Sequence, residues 1–514
     1  MKYMDVEEQL ALAAQLPPEQ EVVILRQFVR AQAKIITELV QTVEVLKHEI
    51  GQLKRQLYGR KSEKRIKNES APVDALPVQK ERGKAATKRD AGHVTDKGLR
   101  FRASAQVITI EVPLPAEDGL EIIGYDTVHR IAQRPAATVV LAYKIPIVKS
   151  TTGSILPTWS PNQLWEGSYA DVSFIAGMLT DKFMYHLPLH RQHQRLTING
   201  IDLARSTLTS WSQHSIALLK PIYEVLIKDI LAGQIVEMDE TPIKASRKIK
   251  GKMHTGYFWP ILGEANEVAF MYADTRAQSH IKKVLKHTFS GTLLTDGYGA
   301  YQAYAKNNEN MTHANCWTHW RRMFEACEKA YPIDVAMILD TIESLYIIER
   351  RCKDEHYSNK KTLEVRTIES KPIVEKLMQW CETRVQDTKL APKNPLRKAI
   401  QYGLNRVPQL KVFLEDPALP MDTNNIERQI RPIALGKKNW LFCWSELGAE
   451  QVGIIQSLIA TCKMHCIDPY TYLVDVLLRV GLHPASKVHE LTPRRWKQQF
   501  GDNPMRSDLW GKGQ

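Results

Sequence analysis

The sequence has few cysteines, and none of them forms the close pairs typical of metal ribbons. All seven lie between Cys316 and Cys466, and no two are spaced as CxxC. This distribution argues against a disulfide-stapled domain or a zinc ribbon. Free thiols in a reduced, cytoplasmic setting are the simplest interpretation.

Long apolar runs are also missing, since none approaches the roughly 18–20 residues that a membrane-spanning helix needs. The first residues, MKYMDVEEQL, have no basic stretch followed by an apolar core, so we expect no secretory signal and no membrane partner. The chain has 514 residues, of which 43% are hydrophobic and 25% charged. These values predict a protein of several domains with at least one sizeable core.

Positive charge is in excess, with 70 Lys and Arg against 57 Asp and Glu and a net charge of +13. The excess is uneven, because residues 51–100 hold 14 Lys or Arg and only six Asp or Glu. A basic segment attracts polyanions, of which nucleic acid is the commonest. The alternative is a solvated tether that binds nothing specific.

The first 160 residues predict three segments. Within residues 1–59, one long helix carries an alternating four-three spacing typical of a coiled coil, which favours self-association; a hairpin partner within the chain remains the alternative. Residues 60–100 have no periodicity and predict a basic flexible linker. Residues 101–160 predict a small β unit that contains no Cys and only His129, so no zinc is expected there. The coiled-coil positions are Leu39, Val43, Leu46, Ile50, Leu53 and Leu57.

Residues 161–230 predict a helical region. Asn199 and Gly200 form a turn signal, and Ser206 is a candidate cap for the helix that follows. Helix, turn and helix together with Arg191, Arg195 and Arg205 resemble a helix-turn-helix that binds DNA. Two ordinary packed helices with exposed basic residues explain the same pattern equally well.

From residue 231 the chain predicts a multidomain α/β protein. Residues 231–333 alternate as β-β-β-α-β-α, the order of a ribonuclease H-like nuclease core. Residues 334–420 predict helices only and interrupt this pattern, so we interpret them as an insertion. Residues 421–482 restart the core, and residues 483–514 predict a polar, basic tail.

Three acidic residues stand where the pattern predicts a site. Asp239 follows the buried strand of QIVEMDETPIK, Asp296 follows that of TLLTDGYGAY, and Glu427 lies on a helical face of DTNNIERQIRP. Strand alternation predicts that Asp239 and Glu240 point to opposite faces. Each acid alone is explained as a strand end or, for Glu427, as a surface pair with Arg431.

Taken together, the three carboxylates suit a site for two Mg²⁺ ions, with Mn²⁺ as a substitute. Asp239 is placed to bridge both ions, with Asp296 on one and Glu427 on the other. Two such ions support phosphoryl transfer.

Basic and aromatic residues surround these acids in the sequence. The candidate DNA contacts near them are His319, Arg321, Arg322, Arg428, Arg431, Lys437 and Lys438. Lys437 to Trp440 either hold a DNA end or cover a core edge. His313, Cys316 and His319 have a compact spacing, but no fourth metal ligand stands nearby, so a core thiol and a DNA-facing His319 are the simpler interpretation.

Several motifs carry a resemblance to the insertion sequence sixty-six family of DDE transposases. They are QLYGRKSEK, DKFMYHLPLHRQHQRL, MDETPIK, LLTDGYGAY, CWTHWRRMF, NNIERQIRPIALGKKNWLF and SLIATCKMH. The resemblance implies a ribonuclease H-like catalytic core with a helical insertion, and Mg²⁺-dependent strand cleavage and transfer. It places the family's acidic residues on Asp239, Asp296 and Glu427. Family members usually carry a Cys-based zinc module, but the corresponding residues 101–159 contain no Cys, so zinc is not carried over.

The sequence therefore predicts a transposase that acts on the terminal repeats of its own mobile element and on target DNA. It is expected to form a homo-oligomer through the coiled coil, and other proteins of the element are candidate accessory partners. Two alternatives remain: a DNA-binding protein of the same fold without catalytic activity, and a nuclease that hydrolyses DNA without joining it.

Overall fold

The computed structural model describes most of the chain after residue 92. The coiled coil predicted within residues 1–59 and most of the linker predicted for residues 60–100 lie outside the described residues, and the division into domains stays a prediction. Described are residues 93–96, 99–103, 105–112, 121–134, 137–149, 155–156, 163–165, 167–246, 253–285, 289–388, 390–440, 443 and 445–510.

Two small sheets are built mainly from strands that precede the helical region, and one of them also includes β7, which lies between the helices α2 and α3 given below. In the first, β2 pairs antiparallel with β1 and with β7. In the second, β5 lies between β4, which is antiparallel to it, and β3, which is parallel to it; β6 pairs with the remaining length of β5. The strands are β1 (His93–Asp96), β2 (Leu99–Arg102), β3 (Val107–Glu111), β4 (Glu121–Arg134), β5 (Ala137–Lys149), β6 (Ile155–Leu156) and β7 (Ile201–Asp202).

Three helices follow, α1 (Val172–Phe183), α2 (Leu189–Ile198) and α3 (Arg205–Leu231). The turn predicted after α2 is present, because Gly200 has a φ of 78°, a conformation that glycine adopts without strain. The prediction that Ser206 caps α3 is wrong. The helix begins one residue earlier, and its N-cap is Ala204, whose side chain has no oxygen to offer.

A six-stranded mixed sheet forms the centre, with the order β11-β10-β8-β12-β13 and β9 paired with β10. β8, β12 and β13 are parallel, whereas β10 runs antiparallel to β8, β9 and β11. The strands are β8 (Ile235–Met238), β9 (Thr241–Ser246), β10 (Met253–Gly263), β11 (Glu267–Ala273), β12 (Thr292–Thr295) and β13 (Thr312–Asn315).

The remaining helices cover this sheet and build the segment predicted as an insertion. Between the strands lie α4 (Gln278–Leu285) and α5 (Gly299–Ala305). After β13 come α6 (Trp317–Glu325), α7 (Pro332–Asp354), α8 (Asn359–Val365), α9 (Lys371–Val385), α10 (Pro395–Leu404), α11 (Val407–Lys411), α12 (Asn424–Trp440), α13 (Glu446–Met464), α14 (Pro469–Arg479) and α15 (Pro493–Gln499). Within the described residues no helix combines the length and the hydropathy that crossing a membrane requires.

The central strands are buried on both faces because helices cover both. Alternate side chains of β8 and β12 enter two different cores, as the period of two in a strand requires. Val236, Met238 and Leu293 belong to the core that contains α3 and α13. Ile235 and Leu294 belong to the core that contains α6, α7 and α9. The carboxyl ends of β8 and β12 are thereby fixed side by side at one edge of the sheet.

Candidate metal centre

Asp239 and Asp296 lie at this edge. Asp239 follows the last residue of β8, and Asp296 follows the last residue of the parallel strand β12. The register pairs Leu294 with Glu237, so the two aspartates stand two residues further along at the same level. Carboxylate oxygens of Asp239, Asp296 and Glu240 lie within 4.8 Å of one another. The structure thus brings two of the three predicted acids together and adds a third carboxylate.

The expectation that strand alternation separates Asp239 from Glu240 is wrong. Met238 pairs with Ile261 and Thr241 pairs with Phe258, so the acidic pair lies opposite Pro260 and Trp259. Pro260 has no N–H group to donate to this stretch of the ladder. The strand is interrupted at the acidic pair, and both carboxylates approach the same point.

The loop at Asp296 is held by hydrogen bonds to both its side chain and its backbone. The backbone N–H of Tyr298 donates to Asp296 Oδ1 at 2.9 Å, which closes a tight Asx turn. Thr295 Oγ1 and Asn315 Nδ2 both donate to the Asp296 carbonyl, each at 2.9 Å. Asp296 is therefore presented by a rigid strand end.

Glu240 is enclosed, with 3% of its side chain exposed. Arg276 Nε donates to Glu240 Oε1 at 2.6 Å, and the Tyr301 hydroxyl donates to Oε2 at 2.8 Å. The guanidinium of Arg276 also lies over the ring of Tyr298 at 3.9 Å. Glu240 is thus already paired, and sequence analysis identified neither Arg276 nor Tyr301.

The pKa of the Asp239 carboxyl group is raised strongly above its ordinary value. Burial, followed by the negative charges of Glu240 and Asp296, raises its pKa to about 7, while the charge of His319 acts in the opposite direction. Such a carboxylate is costly to ionise unless positive charge is supplied nearby. A divalent cation supplies that charge with the oxygen ligands it prefers.

Glu427 lies in the first turn of α12 and is not part of the 4.8 Å group among the described residues. It accepts two hydrogen bonds from Arg322, at 3.0 Å from Nη1 and 2.8 Å from Nη2. His319 Nε2 is 3.9 Å from Glu427 Oε1, and its charge also acts on Asp239. His319 therefore connects the third acid electrostatically to the carboxylate group.

A buried carboxylate that sequence analysis missed fixes the helix that carries Glu427. Glu237 lies in β8, is 5% exposed and accepts a hydrogen bond from the backbone N–H of Ile426 at 3.3 Å. Burial raises its pKa to about 7. At the same end of α12, the N–H of Thr423 donates to Cys316 Sγ at 3.3 Å. These two contacts dock the amino end of α12 on β8 and α6. The available signal was the position of Glu237, two residues before Asp239 on the same strand face.

The predicted DNA contacts divide into paired and exposed residues. Four side chains are engaged by neighbours: Arg195 with Asp181, Arg321 with Glu325, Arg428 with Asn425, and Lys437, whose Nζ donates to the Pro242 carbonyl at 2.9 Å. Arg191, Arg205, Arg431 and Lys438 are exposed. His313 is buried, and its Nε2 forms a hydrogen bond of 2.9 Å with Thr295 Oγ1. Cys316 is a buried thiol that contacts the chain at the amino end of α12.

A mixed sheet presents neighbouring aspartates from parallel strand ends, which defines a candidate centre for a divalent cation. The comparison with known families names the particular class. The Transposase IS66 family model matches residues 167–451, and the IS66 C-terminal element matches residues 457–494. The chain belongs to the IS66 family of transposases.

Three relatives come from Sinorhizobium fredii (strain NBRC 101917 / NGR234). Uncharacterized protein y4hP is 29% identical over 371 residues, which cover 67% of this chain and 66% of the relative, just under two thirds of its length. Uncharacterized protein y4jD is 26% identical over 508 residues, covering 90% and 96%. Uncharacterized protein y4qI is 28% identical over 418 residues, covering 76% and 75%. These names assign no activity.

Proposed function

We propose that the protein is a transposase that binds the ends of its mobile element and catalyses divalent-cation-dependent DNA strand cleavage and strand transfer. One observation carries this proposal: Asp239 and Asp296 end neighbouring parallel strands, and their ligand atoms lie within 4.8 Å in a chain of a transposase family. Asp239, Asp296 and Glu427 are the proposed catalytic residues.

The donor set fits Mg²⁺, or Mn²⁺ in its place, because it consists of carboxylate oxygens and includes an aspartate whose pKa is raised by burial and by like charges. Asp239 and Asp296 would hold the ions together with Glu427. When bound, such ions stabilise the attacking and leaving oxygens of phosphoryl transfer.

Glu427 can join this set only after it exchanges its present partner. Its carboxylate shares two hydrogen bonds with Arg322, whose guanidinium is half exposed. A DNA phosphate offers Arg322 the same bidentate geometry as a carboxylate does. DNA binding would then release Glu427 while Arg322 holds the backbone of the substrate.

The proposed reaction has two steps, strand cleavage and strand transfer. In the first, the oxygen of water bonds to the phosphorus at the element end and the bond from phosphorus to the 3′ oxygen breaks. The element strand then ends in a 3′-OH, and the flank keeps a 5′ phosphate. In the second, that 3′ oxygen bonds to a target phosphorus while the target's own bond from phosphorus to its 3′ oxygen breaks. Each leaving oxygen takes up a proton.

The test uses purified full-length protein, labelled duplexes that carry the DNA sequences flanking the gene, and a target plasmid. Wild type should cleave at the element end in Mg²⁺, and joined products should appear. Asp239→Asn, Asp296→Asn and Glu427→Gln should each abolish cleavage but retain DNA binding. Asp340→Asn, an exposed acid on α7, is the matched control.

The outcomes separate the alternatives. Undiminished cleavage by Asp239→Asn would refute the catalytic assignment. Cleavage without joined product would identify a nuclease that only hydrolyses. Binding without cleavage under all cation conditions would identify a DNA-binding protein of the same fold.

A further inference from the structure

A cavity of about 530 Å³ lies away from the carboxylates, between the predicted DNA-binding helices and the far end of the helix that carries Glu427. It is lined by residues of α1, α2 and α3 on one side and by the end of α12 and the beginning of α13 on the other. This volume is within the range of about 300–1,000 Å³ typical of small-molecule sites.

Aromatic rings form part of the wall. Phe183 and Trp440 meet edge to face, with ring centroids 6.4 Å apart and an angle of 74°. Leu189, Ile216 and Val452 extend the apolar surface. The indole Nε1 of Trp440 is buried and has no hydrogen-bond partner among the described residues. Such a wall suits a flat ring in van der Waals contact with the indole and the aliphatic side chains.

Trp440 is placed by the helix itself. A Cβ added at Gly436 would lie 2.3 Å from Cζ2 of the Trp440 ring, so the indole lies directly against the backbone one turn earlier. Only glycine permits this close approach. The ring is thereby held at the wall of the cavity.

The cavity also contains positive charge that no described group neutralises. Lys182 makes neither a hydrogen bond nor an ion pair within the described part of the chain, and its Nζ lies 4.7 Å from the centroid of the Phe183 ring. Burial lowers its pKa to about 8. Arg205, an exposed residue at the start of α3, stands at the same cavity. A desolvated cation without a counter-ion disfavours a purely apolar ligand and favours an anionic one.

We infer that this cavity binds one unpaired nucleotide of the element-end DNA, with the base against Trp440 and Leu189 and the phosphate near Lys182 and Arg205. Base stacking on aromatic rings and phosphate binding to cations are the two components of single-strand recognition. Inorganic phosphate would leave the aromatic wall unused, and an apolar ligand would leave Lys182 uncompensated. The inference rests on the proposed function.

The position of the cavity predicts which nucleotide enters it. Trp440 and Glu427 are separated by 13 positions on one helix, which corresponds to about 20 Å at 1.5 Å per residue. That length equals about six steps of B-DNA at 3.4 Å per step. For a DNA strand that follows α12 from Glu427, the bound nucleotide would lie about six positions from the cleaved phosphate.

The experiment measures binding in EDTA, so that it does not depend on cleavage. Fluorescence anisotropy compares a fully paired element-end duplex with the same duplex containing one unpaired thymidine at successive positions. Wild type should prefer the unpaired form at one position, by about 5-fold to 150-fold given about 1–3 kcal/mol per stacked base. Trp440→Leu should lose the preference, and Lys182→Met should weaken it. Lys376→Met, an exposed lysine on α9, should leave it unchanged.

A second arm locates the base and keeps the test independent of variant folding. 5-Iodouracil placed at each position of the unpaired duplex should crosslink, on irradiation, to the peptide that contains Trp440, and at one position only. Equal affinity for paired and unpaired ends, or crosslinks elsewhere, would overturn the inference. So would saturation of the site by free thymidine monophosphate at the same affinity as DNA. A preference for the unpaired duplex in EDTA, without cleavage in Mg²⁺, would support the nucleotide site and reject the proposed enzymatic activity.

Discussion

Replacing Asp239 by Asn should stabilise the metal-free protein while it abolishes the response to Mg²⁺. The reason is electrostatic. Asp239, Glu240 and Asp296 have ligand atoms within 4.8 Å of one another, which corresponds to a repulsion of about 3 kcal/mol per ionised pair at an effective dielectric constant of about 20. Half-burial, screening and the charges of His319 and Arg276 reduce the net gain from Asp239→Asn to about 1–2 kcal/mol.

The pH dependence has a defined sign. The folded pKa of Asp239 is raised from 3.8 to about 7, so the folded state binds more protons than the unfolded state between about pH 4 and pH 7. Stability of the metal-free wild type should therefore fall as pH rises through that window, by at most about 4 kcal/mol for a shift of this size before discounting for solvent. Asp239→Asn removes this contribution.

Thermal unfolding in EDTA tests the prediction. At pH 8 the Asp239→Asn variant should melt a few degrees above wild type. The difference should shrink as the pH falls and vanish near pH 4, where Asp239 is protonated in both the folded and the unfolded state. Adding Mg²⁺ at pH 8 should raise the melting temperature of wild type but not that of the variant. Asp340→Asn should behave as wild type throughout. A variant that is less stable than wild type in EDTA, or that gains equally from Mg²⁺, would refute the reasoning.

Three further predictions follow from the neighbours of the site. Glu237→Ala should destabilise the fold by about 1–3 kcal/mol and slow cleavage, because it leaves the Ile426 N–H without its acceptor. Glu237→Gln should restore stability, measured by denaturant titration, and the cleavage rate. Arg322→Gln should tighten Mg²⁺ binding in the absence of DNA, measured by calorimetry, and should weaken DNA binding, measured by fluorescence anisotropy. An unchanged affinity for Mg²⁺ would reject the exchange of partners at Glu427. Gly297 follows Asp296, and a Cβ at this position would lie 2.5 Å from the ring of Tyr402. Gly297→Ala should therefore lower both the melting temperature and the cleavage rate. A stable and active variant would contradict this prediction and show that the loop relaxes freely.

The strand ends were predictable because they depend on local pattern. Apolar β-formers followed by an acid and a turn signal place Asp239 and Asp296 at the ends of β8 and β12, and the structure has both strands at these positions. Two parallel strands with their carboxyl ends at one edge then suffice to bring the aspartates together. Apart from the pairing of β8 with β12, this prediction needed no contact between distant segments.

The surroundings of the acids were not predictable, because they depend on pairing between distant segments. Arg276 reaches Glu240 across 36 positions of sequence, and the break at the acidic pair depends on Pro260 lying opposite it in β10. Strand alternation assumes a regular ladder, and a proline in the partner strand removes that regularity. The same limit explains why Glu237 was overlooked: its importance comes from the helix docked on it 189 positions later.

The three proposed catalytic acids differ in how firmly the fold holds them. Asp239 and Asp296 follow strands whose register is fixed by hydrogen bonds on both sides, so their spacing is a property of the sheet. Glu427 stands on a helix anchored at its amino end by Glu237 and Cys316. With the helix backbone held there, the adjustable element is the Glu427 side chain, which Arg322 now engages. We therefore expect DNA binding to act on the site through Arg322, the partner that Glu427 would have to exchange.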